Sequence, residues 1–120
     1  MQWVSGFWMG ACAHGRGQSV WELAQRVGGV DELVRGGEAA LVAAGVSAQA
    51  ARSWVETAPA RTQGRAVVMG DPDYPARLLC VSEAPPVLFV EGDVAALQGP
   101  AWTIVGTRNC TSYGAGVARH

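Results

Sequence analysis

The sequence predicts an α/β chain: a small all-helical module, then the beginning of a parallel-sheet domain. Two patterns predict this. Over residues 18–58 apolar side chains recur at helical spacing between glycine corners. Over 66–120 three short β-branched runs alternate with helical pieces, the order of an α/β layer. Length agrees, since 120 residues at 49% hydrophobic content can bury one small core but not two full domains.

Residues 1–17 are rich in glycine and aromatics and show no period, so they stay unassigned. Helical signals begin at Ser19. Ser19-Val20-Trp21-Glu22 has the capping-box form, in which hydroxyl and carboxylate satisfy two free N–H groups. Val20, Leu23, Ala24 and Val27 make the apolar stripe, and Gly28-Gly29 supplies the stop. A turn around Asp31–Val34 ends at Gly36-Gly37. A third helix, 38–44, stops at Gly45. Ser47 caps a fourth with Ala50, Ala51, Trp54 and Val55 on its apolar side. Trp21 and Trp54 read as core residues. The Gly28-Gly29-Val30 corner reads as a C-cap pair, the commoner use, or as a hairpin whose N–H groups meet a phosphate. Such a module suits a small DNA-binding or protein-binding domain of the helix-hairpin-helix or sterile-alpha-motif-like kind.

Residues 59–65 are polar, with one proline and one glycine, and read as a linker. Beyond them, Ala66-Val67-Val68-Met69, Val87-Leu88-Phe89-Val90 and Thr103-Ile104-Val105 are short apolar runs bounded by Gly, Pro or Asp. Buried parallel strands have that form. Residues 74–80 and 93–98 between them read as helical.

All nine basic residues are arginine, and the net charge is −1. Neither half carries an excess of positive charge, so a bulk electrostatic footprint for nucleic acid is absent and any anion site must be local. Cys12, Cys80 and Cys110 form no CxxC pair, and His14 and His120 have no metal-ligand spacing, so neither a metal nor another cofactor is expected. Sparse cysteines and a start without Lys or Arg before Arg16 predict a reduced, cytoplasmic protein without a secretory signal. No apolar run is long enough to span a membrane.

The chemistry-bearing segment is Ile104-Val105-Gly106-Thr107-Arg108-Asn109-Cys110-Thr111-Ser112-Tyr113-Gly114. A strand runs into a glycine, then polar residues, then a helix start at Ser112 or Tyr113. Ligands of open α/β sheets bind at such strand ends. Gly106 admits an anion to its backbone, Thr107, Thr111 and Ser112 offer hydroxyls, and Arg108 adds a fork of donors matched to phosphate. The spacing is neither G-x-G-x-x-G nor a P-loop. The same turn also reads as a tight βα corner with Arg108 paired to an acid.

Three blocks carry a resemblance: Asp71-Pro72-Asp73-Tyr74-Pro75 with Leu78-Leu79; Ala84-Pro85-Pro86-Val87-Leu88-Phe89-Val90-Glu91-Gly92; and Thr103-Ile104-Val105-Gly106-Thr107-Arg108 with Tyr113-Gly114. In that order they resemble the DNA-processing protein DprA (Smf) family, over about residues 70–116. The resemblance implies a Rossmann-like domain that binds single-stranded DNA, without enzymatic activity, and loads a RecA-type recombinase in natural transformation. It places Gly106, Thr107 and Arg108 in the phosphate-contacting turn, with Ser112 opening the next helix. It gives Tyr74, Pro75, Leu78, Pro86, Leu88 and Gly92 structural roles, and a sterile-alpha-motif-like domain is common ahead of them. It also implies a homodimer for the full-length protein. On this reading 66–120 is the incomplete first part of the domain, and the chain an N-terminal fragment. Two alternatives stand beside it: a Rossmann-like nucleotide enzyme of the phosphoribohydrolase type, and a helical protein-interaction module.

Overall fold

The computed structural model describes residues 2–15 and 19–120. Met1, Arg16 and Gly17 of the unassigned start, and Gln18 at the head of the helical module, lie outside the described residues.

A short strand, β1 (Gln2–Val4), leads into helix α1 (Gly6–His14). Thus most of residues 2–14, unassigned from sequence, lies in regular structure. Phe7, Trp8, Met9, Ala11 and Cys12 make α1 apolar on nearly every side, which erases the contrast that periodicity needs. α2 (Val20–Val27) opens where the capping pattern places it, with the Ser19 hydroxyl accepting from the Glu22 amide at 3.2 Å. It closes at Gly28, in the left-handed region at φ 103° with its N–H on the Ala24 carbonyl. That geometry is a C-cap.

α3 (Val30–Ala43) joins the turn and the third helix read from sequence into one element, broken at Gly37 by φ 53° and ψ −128°. A Cβ would be strained there, so the glycine is what permits the bend. α4 (Ala48–Val55) starts at Ser47, whose hydroxyl accepts from the Ala50 amide at 3.3 Å. α1 packs on α4, and α3 on both α2 and α4. The largest fully buried side chains at this centre are Leu33, Leu41 and Trp54.

The segment read as a linker contains a strand. β2 (Ala60–Thr62) pairs antiparallel with β1, Trp3 opposite Arg61. Its backbone donors and acceptors are met by a partner from the chain's start, which a local reading cannot see. β3 (Arg65–Val68) and β4 (Val87–Val90) then form a second antiparallel pair, Val67 opposite Leu88. The expected parallel arrangement is therefore not the one observed here. The pieces between the runs, 76–80 and 94–98, are 3₁₀ turns rather than α-helices. Both are short connectors between strand runs, the setting in which 3₁₀ turns are frequent.

Val67, Met69, Tyr74, Ala84 and Val87 extend the core under this hairpin. The Tyr74 hydroxyl donates to the Pro85 carbonyl at 2.7 Å, Arg65 pairs with Asp73, and Arg77 donates to the Gly99 carbonyl at 2.6 Å. Gly70 lies against Val30 at the head of α3, which brings the hairpin up to the helices.

The third run, Thr103-Ile104-Val105, is not a strand, and Ile104 is 85% exposed. Burying such a run needs a sheet beside it and layers on both faces. The observed two-stranded hairpin supplies neither. Residues 101–113 are all exposed, and helix α5 (Ser112–Ala118) has no buried residue. The radius of gyration is 17.0 Å, against about 13.6 Å for a compact domain of this length.

Candidate nucleic-acid interface

The candidate loop lies between an extended segment and α5. Thr111 caps that helix, its hydroxyl oxygen accepting from the Gly114 amide at 3.2 Å. The Thr107 hydroxyl oxygen accepts from the Asn109 amide at 3.1 Å. Both hydroxyls thus use an oxygen lone pair inside the loop, which leaves each O–H proton free to donate outward. Thr111 is the residue that fixes the helix start, a role the Thr-x-x-Gly spacing before an apolar stretch signals only weakly.

A groove of about 480 Å³ runs between residues 104–107 and the inner face of α5. Gly106 and Thr107 line it, with Asn109, Thr111, Gly114 and Ala115. Arg108 and Ser112 do not line it. Of the four site residues read from sequence, two share the groove and two stand beside it. Ser112 is the first residue of α5, which at seven residues has only a small dipole.

Two features of the loop are not explained by folding. A Cβ built on Gly106 would meet nothing within 4 Å, and its φ is outside the range that favours glycine. Arg108 is exposed, and among the described residues no carboxylate pairs with it. The paired-acid alternative for Arg108 therefore has no partner here. Its five N–H donors face solvent in a loop that also presents two hydroxyl protons.

Among the described residues no group of three or more His, Cys, Asp or Glu is placed to hold a metal ion. No helix among them is long and apolar enough to cross a membrane. Burial pushes the Cys12 thiol pKa up, which makes it a poor nucleophile.

Comparison with known families covers the segment that contains this loop. Residues 65–120, just under half of the chain, match the family model described as DNA recombination-mediator protein A. The resemblance read from the three sequence blocks is thereby shown for this segment, and the family it resembles is one of recombination mediators. No curated protein and no solved structure matches the chain.

Proposed function

We propose that the chain binds single-stranded DNA through Gly106, Thr107 and Arg108, as part of a recombination mediator. The observation that carries this reading is the exposed guanidinium of Arg108, free of any acid among the described residues. It lies inside the segment that matches the mediator family. A strand-binding protein indifferent to sequence needs backbone contacts more than contacts to base edges. An arginine fork flanked by hydroxyls and an open glycine meets that need. Ser112, at the head of α5, is a further hydroxyl within the same stretch.

The same reading assigns 66–120 to a Rossmann-like layer, and 18–58 to a sterile-alpha-motif-like module joined to it through 59–65. What supports the layer is the sequence order, a β-branched run at 103–105 followed by a polar loop and the helix α5. Handing the bound strand to a RecA-type recombinase, in the cytoplasm and during natural transformation, follows from the family resemblance. A homodimer of the full-length protein follows on the same ground.

The test is a fluorescence-anisotropy titration of labelled homopolymeric oligodeoxynucleotides and of a duplex. Similar affinities across the single strands, with weaker duplex binding, support the proposal. Binding to none of the single strands overturns it.

A further inference from the structure

The geometry points to a second nucleic-acid contact on the β1–β2 ribbon, in which the Trp3–Arg61 pair stacks a base of the same single strand. This inference rests on the strand-binding reading above and adds a site outside the matched segment.

Trp3 and Arg61 are direct cross-strand partners. The Arg61 guanidinium carbon stands 5.4 Å from the centre of the Trp3 ring. Trp3 is nonetheless 62% exposed, on a ribbon whose neighbour Val4 is buried. The ribbon thus holds an indole outward while anchoring its backbone. An exposed cation–π pair adds little to folding, so stability gives small reason for an outward tryptophan. Among the described residues no carboxylate pairs with Arg61.

An aromatic ring combined with an unpaired arginine suits a single strand. The ring accepts any base by its π-face, and the guanidinium meets the adjoining phosphate or extends the stack. Of the other exposed aromatics, Phe89 is also held on a paired strand, but opposite Ala66 rather than a cation. Trp102 is 93% exposed, but it belongs to a segment with no backbone pairing. A ring already held in place loses less freedom on binding.

The experiment uses the full chain and oligodeoxythymidine, with Trp3→Ala, Trp3→Phe, Arg61→Ala and Arg108→Ala compared at several salt concentrations. Trp3→Ala is expected to weaken binding roughly tenfold, and Trp3→Phe to restore most of it. Arg61→Ala is expected to lower the log–log salt slope by about 0.7. Because Trp3→Ala also touches the ribbon, the wild-type chain is photocrosslinked to an iodouridine-substituted strand and the adduct mapped. An adduct on Trp3 supports the site. Adducts confined to Trp102 or Tyr113, or full affinity in both Trp3→Ala and Arg61→Ala, overturn it. Weakening by Arg108→Ala alone overturns this site and leaves the proposed function standing, whereas weakening by the ribbon variants alone removes Arg108 and keeps the ribbon. No binding by the wild-type chain overturns both.

Discussion

The indole N–H of Trp54 donates to the backbone carbonyl of Phe7 at 2.8 Å, joining the last helix of the helical part to the first. Trp54 is fully buried, and the Phe7 ring lies 5.7 Å from its own. The bond satisfies a buried donor and fixes α1 against α4 at once. Trp54→Ala is expected to cost about 3–5 kcal/mol, read as a lower denaturation midpoint. Trp54→Phe is expected to recover part of the loss, since packing returns without the N–H.

The same contact makes Gly10 a close-approach position. A Cβ there would come within 2.0 Å of the Trp54 carbonyl oxygen. Backbone cannot move aside as a flexible side chain can. Gly10→Ala is therefore expected to destabilise by about 3 kcal/mol, against the usual helix preference for alanine. Urea titration of the two proteins checks the sign.

Tyr74 ties the hairpin to the proline turn, and its loss should be visible in pH as well as in stability. Burial holds its phenol pKa above the ordinary 10.0. The neutral form is thus favoured in the folded chain, so the contribution is complete below about pH 10 and is lost as pH rises through the folded pKa. Tyr74→Phe is expected to cost about 1 kcal/mol at neutral pH, for the bond to the Pro85 carbonyl. The alkaline fall in melting temperature should be shallower in that variant.

The role proposed for Gly106 lets folding and binding be tested separately. Open space surrounds the Cβ that alanine would add, so Gly106→Ala is expected to melt at the wild-type temperature. Its affinity for single strands should fall, because the methyl group would hold a phosphate off the backbone. Equal affinity in the two proteins would mean that no anion approaches this glycine.

What could be read from sequence was local. The Ser19 and Ser47 caps, the Gly28 stop and the Gly37 break each depend on a few neighbouring residues, and the structure contains all four. What escaped depends on distant partners. α1 was hidden by its nearly uniform apolar surface, and β2 by a strand partner almost the whole helical part away. The run 103–105 has strand composition, but composition cannot supply the sheet that would bury it. At the candidate site, the glycine, the arginine and the helix start were legible from residue types. The capping role of Thr111 and the placement of Arg108 outside the groove were not, because both are set by loop geometry.

The most direct test of the account is the salt dependence of single-strand binding in wild type and Arg108→Ala. The variant should remain folded, bind every homopolymer more weakly, and show a log–log slope smaller by about 0.7. An identical affinity and slope in the two proteins would contradict the assignment of Arg108 to the phosphate backbone.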